Sequence, residues 1–281
     1  MMISTDYLAE TGLNDHSFGF YGLAFFGIIL ARYFILAGGM HIFLYGIFDG
    51  LWPACSANAN GDRPPQPVRE AEDRRKLPPP WKSIRRDIKL SILSSVVFAL
   101  AAATIVSAYN LGITRLYADV DRYPLWYLAV SYVVAIVLQD TYFYFLHRLF
   151  HHPLLFRWWH QGHHQSHHPT PWTSFAFDPP EAIVQSLFLV AIIFIIPLHF
   201  ITVIAILITM TVWAIVNHLG IERLPLNFPH HWCSRWFTGP AHHAVHHRRY
   251  ALHYGLYFTF WDKQLGTQSP DRDRELADVS H

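Results

Sequence analysis

The sequence predicts an all-α protein, a polytopic transmembrane helical bundle of three spans plus a helical hairpin, with a cytosolic helical cap carrying a histidine-rich dimetal site. Three observations predict it. The 281 residues are 52% hydrophobic but only 15% charged, with mean hydropathy +0.18, which is less charge than a soluble domain of that length usually carries. The apolar residues gather in runs of the length that crosses a bilayer, about 20 residues. Of the 20 histidines, 15 cluster outside those runs, eight between 147 and 168 and seven between 230 and 253.

Phe18 to Phe48 supplies the first span, interrupted by Arg32 and the pair Gly38-Gly39. Ile88 to Leu111 supplies the second, and Leu125 to Leu146 the third, which turns polar at Gln139 and Asp140. Ile183 to Val216 is too long for one span and slightly short for two, and Pro197 near its middle would break a helix. It is expected to form a hairpin turning at Ile196-Pro197-Leu198-His199. The first 17 residues lack the basic flank and cleavage site of a signal peptide, so the first apolar segment is expected to stay as an anchor. A Pro-rich stretch through Pro64, Pro65, Pro67 and Pro78-Pro79-Pro80 reads as a surface linker.

Orientation follows from Lys and Arg in the loops. Segment 52–87 carries Arg63, Arg69, Arg74, Arg75, Lys76, Lys82, Arg85 and Arg86, whereas 1–17 carries none and 112–124 only Arg115 and Arg122. The 52–87 loop is therefore expected to be cytosolic and residues 1–17 to lie opposite. Counting spans puts 147–180 and everything after 217 on the cytosolic side, so the histidine clusters share one membrane face. The expected division is 1–17 outside the cytosol, 18–146 as spans 1–3, and 147–281 as a catalytic cap that includes the hairpin 183–216. A net charge of +1 gives no argument for a nucleic-acid partner. Cys55 and Cys233 make no metal or disulfide framework.

Three spacings carry the chemistry: His147-x3-His151, His160-x2-His163-His164 and His243-x2-His246-His247. Residues three and four apart share one helix face, so the first aims two imidazoles at one point. Each of the others offers three, enough to flank one metal or reach two. Imidazole suits iron, zinc, copper or nickel. Eight such ligands exceed the four of a single zinc, which implies two ions. Asp140, two turns before His147, is placed to accept a ligand's second ring N–H and set its tautomer. A zinc transporter is disfavoured, because transport sites lie near the bilayer midplane in broken helices and these clusters lie outside the spans.

From about Asp140 to Thr267 the sequence resembles the fatty acid hydroxylase and sterol desaturase superfamily. Asp140 to His151 is similar to the first histidine motif of C4-methylsterol oxidases. His160-Gln-Gly-His163-His164 with Thr170-Pro171-Trp172 is similar to sterol C5-desaturases. His243 to His247, Tyr254-Gly255 and Trp261-Asp262 through Gly266-Thr267 resemble the closing signature of the superfamily, in which Trp261 and Asp262 are read as structural. The resemblance implies a ninth ligand, His218, just after the hairpin, with Glu222 as a further ligand or a supporting acceptor. It departs at Asp178, where related desaturases commonly have histidine, so Asp178 is a candidate to tune the site. No catalytic residue beyond the ligands is implied. The resemblance also implies two non-haem iron ions, O2 as co-substrate, and a lipid entering from the bilayer. The favoured substrate is a sterol, with fatty-acyl, sphingolipid or carotenoid hydroxylation on the same scaffold as the alternative. No haem, flavin or nicotinamide motif is present, so a separate cytochrome b5-like or ferredoxin-like donor is expected. The setting is a bacterial inner membrane or an endoplasmic reticulum. The remaining histidines, including His152, His167, His168, His242 and His253, are read as solvated or supporting, and His41 and His199 as structural.

Overall fold

A computed structural model describes residues 17–48, 81–219 and 236–269. The Pro-rich linker, both cysteines, Glu222, His230 and His231 lie outside the described residues.

The first span begins as α1 (Phe18–Tyr33), capped by Ser17, whose hydroxyl accepts the Phe20 N–H. It continues through π-wound turns at Phe34–Gly38 and Phe43–Phe48 that flank α2 (Gly39–Ile42). The glycine pair therefore does not interrupt the helix; Gly38 closes a π-wound turn and Gly39 opens α2. Gly38 earns its place at a close approach, since a Cβ there would sit 3.1 Å from the Trp172 ring. Arg32, a charge inside this span, lies over the Phe175 ring at 5.2 Å.

The second span, α3 (Trp81–Asn110), starts seven residues before the apolar run, because its first two turns carry Lys82, Arg85 and Arg86 on a continuous helix. One face is small and buried, with Ser91, Ser94, Ser95, Ala99 and Ala103. Small faces let helices approach closely in a bilayer. Here they admit α1, the 3-10 turn Pro171–Phe175 and α7 (Pro179–Ile195). The third span, α4 (Trp126–Phe150), runs one turn past the predicted end, so His147 is helical and His151 caps the helix.

The hairpin forms where expected. α7 ends at Ile195 and α8 (Phe200–Asn217) starts after His199, whose ring accepts the Ile201 N–H at 3.0 Å. Between them β2 (Leu198–His199) pairs in parallel with β1 (Leu116–Tyr117), in register Leu116↔Leu198 and Tyr117↔His199. This tie fastens the 112–124 loop to the hairpin turn, at the end of the bundle away from the histidines. The core joins α4, α7 and α8 through Ala135, Ile136, Phe188, Ile192, Ile193 and Ile206, and Tyr257 from the C-terminal segment enters it.

Four helices, Phe18–Tyr45, Trp81–Asn110, Trp126–Phe150 and Phe200–Asn217, are long and apolar enough to cross a membrane. Their apolar windows are only 17% to 33% buried within the protein, so most of that surface requires lipid. The chain is an integral membrane protein.

Candidate metal centre

Four short stretches assemble the centre at one end of the bundle. α4 carries His147 on its last turn and His151 at its cap. The chain then reverses through α5 (Pro153–Trp159), where the His152 ring accepts the Leu154 N–H and Pro153 opens the helix. His160 follows at the junction, and α6 (Gln161–His164) presents His163 and His164. His218 caps α8. The last element, α9 (Pro240–Arg249), opens with a proline at its first position, where the missing N–H costs nothing. It carries His243, His246 and His247.

All nine predicted histidines come together, in two groups. His147, His151, His160, His164 and His246 form one; His163, His218, His243 and His247 form the other. Within each group the ligand atoms lie within 4.8 Å of one another. The two H-x2-HH motifs explain the split. His160 and His164, four apart, serve the first group while His163 turns to the second. His243 and His247 serve the second while His246 turns to the first. Each motif therefore reaches both positions.

The outer ring nitrogens decide what the inner ones can do. Nδ1–H donates from His147 to the Tyr254 carbonyl at 3.0 Å, from His163 to Ala176 at 3.2 Å, from His218 to Ala214 at 2.7 Å and from His246 to Leu252 at 2.7 Å. His160 Nδ1–H donates to Glu181 Oε2 at 2.7 Å. A carbonyl only accepts, so in a neutral ring each of these Nε2 atoms holds a lone pair. Burial holds the His163 ring down to about 4, His218 to about 3 and His151 to about 2, with neighbouring imidazoles adding to the shift at His218 and His151. Burial also places His160, His164, His243, His246 and His247 well below the usual imidazole value. Those inner nitrogens face one another at short range. His147 Nε2 lies 3.0 Å from His160 Nε2, His163 Nε2 3.1 Å from His247 Nε2, and His243 Nε2 2.9 Å from His218 Nε2. Converging lone pairs on neutral, buried imidazoles repel unless a cation sits among them. The donor set fits two transition-metal ions.

The supporting acids differ from expectation. Among the described residues Asp140 is hydrogen-bonded to no histidine, which corrects its assigned role. Its Oδ1 accepts the N–H groups of Tyr257 and Phe258 at 2.7 and 3.1 Å, because residues 254–258 pass between it and His147. The Tyr254 carbonyl takes the place intended for the carboxylate. Among the described residues Asp178 is hydrogen-bonded to no imidazole ring either. Its Oδ2 accepts the Gly162 N–H at 2.7 Å and so holds α6 in place, and a Cβ at Gly162 would overlap that carboxylate. Asp262 binds the Tyr254 and Gly255 N–H groups at 2.9 and 3.0 Å and the Thr267 hydroxyl at 2.7 Å. At Gly255 a side chain would collide with the Phe258 carbonyl and with Asp262.

Two acids escaped the sequence reading. Glu181, fully buried, bonds His160; its only signal was an acid in the first turn of a proline-led helix. Asp87 on α3 accepts the Ser166 and Thr173 hydroxyls at 2.7 and 2.8 Å, anchoring the chain just after α6 to the second span. His152, His167, His168, His242 and His253 join neither group.

These buried imidazoles set a pH dependence. In the unfolded chain each histidine takes up a proton below about pH 6.5, whereas the folded rings refuse it until far lower. The histidine contribution to stability should hold constant above pH 6.5 and fall as pH drops from there towards 4, by up to about 1.4 kcal/mol per pH unit for each buried ring. Thermal unfolding of the purified protein in detergent at pH 8, 6.5 and 5 measures it. A midpoint unchanged between pH 6.5 and 5 contradicts the burial of neutral rings.

Comparison with known proteins agrees with this geometry. Residues 132–267 match the fatty acid hydroxylase family. The chain is 30% identical over 184 residues to a Delta(7)-sterol 5(6)-desaturase of Gibberella zeae, covering 66% of this chain and 55% of that one. It is 31% identical over 186 residues to human lathosterol oxidase, covering 66% and 60%. A Delta(7)-sterol 5(6)-desaturase of Aspergillus fumigatus is 29% identical over 204 residues, with 66% and 62% covered. The chain thus spans under two thirds of the length of these relatives. No solved structure matches it. The matched region holds all nine histidines and the acids that brace them, apart from Asp87, and over that region the chain is similar to fatty acid hydroxylases and sterol desaturases.

Proposed function

We propose that the protein is an oxidoreductase that uses two iron ions and O2 to oxidise an unactivated C–H bond of a membrane lipid, with a sterol as the favoured substrate. The observation that carries this reading is the division of nine histidines into two facing groups at the mouth of an apolar helical bundle. His147, His151, His160, His164 and His246 would hold one ion, and His163, His218, His243 and His247 the other. Iron bound there would supply the activation of O2 that no side chain of the protein can provide.

The chain's own part is positioning and exclusion of water. The backbone carbonyls of Tyr254, Ala176, Ala214 and Leu252 fix the ring tautomers. Burial keeps the rings neutral and their lone pairs inward. The spans deliver an apolar substrate from the bilayer side. The positive-inside bias of 52–87 supports a cytosolic catalytic face, where a separate cytochrome b5-like or ferredoxin-like protein would deliver electrons. In this reading residues 147–281 form the catalytic cap, with the hairpin as part of it.

The names of the relatives favour a sterol. The fatty acid hydroxylase match keeps acyl-chain hydroxylation as the second reading. Membranes containing the protein, incubated with labelled sterols and acyl lipids, O2 and a reductant, distinguish them. The expected result is an oxidised or desaturated sterol that forms only with O2. Products from acyl lipids alone would transfer the assignment to the second reading, and no O2-dependent product from either would overturn both.

A further inference from the structure

The two histidine groups differ in one carboxyl group. Four of the anchoring Nδ1–H groups end on neutral backbone carbonyls. His160 alone ends on a carboxylate, Glu181 Oε2, at 2.7 Å. His160 and Glu181 are 1% and 0% exposed, so no water screens the pair. The second oxygen, Oε1, is buried and has no hydrogen-bond partner among the described residues. Among the described residues, none of His163, His218, His243 and His247 is hydrogen-bonded to a carboxylate.

We propose that the two metal positions are inequivalent and that Glu181, as a positioning residue acting through His160, makes the five-histidine position the tighter one. The inference rests on the two-metal reading above. A carboxylate on the outer nitrogen of a ligating histidine strengthens the inner nitrogen as a donor and fixes the ring's orientation. It also brings a negative charge near one dication, where neutral imidazoles bring none. Five imidazoles against four act in the same direction. The second position, held only through carbonyl-anchored rings, keeps its ion more loosely.

The test uses zinc as the probe, because imidazole-rich sites take it readily and it has no redox chemistry. The full chain, purified in detergent and loaded with zinc, is equilibrated against chelator buffers of falling free Zn2+, and the metal retained per chain is counted. The wild type should lose its two ions in separate steps. Glu181→Gln keeps an acceptor oxygen of the same reach and removes the charge. It should move the tighter step by about 10- to 100-fold towards higher free zinc and leave the weaker step where it was. Loss of both ions in one step from the wild type overturns the inference, as does a variant that shifts both steps equally or neither. A wild type that never holds more than one ion overturns the two-metal reading instead. Should Glu181→Gln fail to insert, Glu181→Asp, which withdraws the carboxylate by one methylene, must weaken the tighter step alone.

Discussion

His246→Ala is expected to lower the proposed lipid turnover by more than about 100-fold and to cost the proposed centre one of its two metals, while the chain still inserts in the membrane. The figure is a lower bound, since losing a group that merely supports a ligand costs 10- to 100-fold. His246 is buried at the centre of the five-histidine group, with its Nε2 3.1 Å from both His151 Nε2 and His164 Nε2. Its Nδ1–H is held by the Leu252 carbonyl, so the ring has one free lone pair and one direction in which to offer it. Alanine removes that donor and leaves a polar hollow. The membrane-crossing helices do not depend on it, because their packing runs through α3, α4, α7 and α8. His167→Ala is the matched control. His167 is an exposed histidine three residues after His164 and belongs to neither group, so that variant should keep wild-type activity and metal. Turnover from His246→Ala at the wild-type rate would contradict the ligand assignment.

The contrast between these two histidines shows where sequence reading succeeds. Positions three and four apart on a helix share a face whatever surrounds them, so the inward imidazoles of α6 and α9 could be named from spacing alone. The spans were legible for a similar reason, since bilayer thickness fixes how long an apolar run must be. The ends were less so. α4 extends past Leu146 because its hydrogen-bond ladder continues through His147, and the helix runs on through Gly38-Gly39, where composition alone would interrupt it. What could not be read was any pairing between distant segments. Asp140 seemed placed for His147 by its seven-residue spacing, yet a loop more than a hundred residues later takes its oxygen. Glu181 reaches His160 across 21 residues and two changes of direction, and no periodicity connects them.

Asp262→Ala should produce the second large effect, and through folding rather than chemistry. The Asp262 carboxylate, fully buried, is the acceptor for the Tyr254 and Gly255 N–H groups. Its removal strands two buried donors at about 1–3 kcal/mol each, a large part of the 5–15 kcal/mol that holds a typical domain together. The third partner, the Thr267 hydroxyl, keeps the Tyr144 hydroxyl at 2.8 Å and suffers less. The damage falls on the segment whose Tyr254 carbonyl fixes the His147 ring, and whose Tyr254 ring packs at 5.2 to 5.6 Å from the rings of His147, His151 and His246. The thermal midpoint and the metal content should therefore fall together. Asp262→Asn, which retains one acceptor oxygen, should fall between the variant and the wild type. Because Asp262 is hydrogen-bonded to no histidine ring among the described residues, turnover per retained metal pair, measured below the lowered midpoint, should stay near the wild-type value. A variant that kept its stability and its metals but lost turnover would place Asp262 in the chemistry instead, and the closing Trp261-Asp262 signature with it.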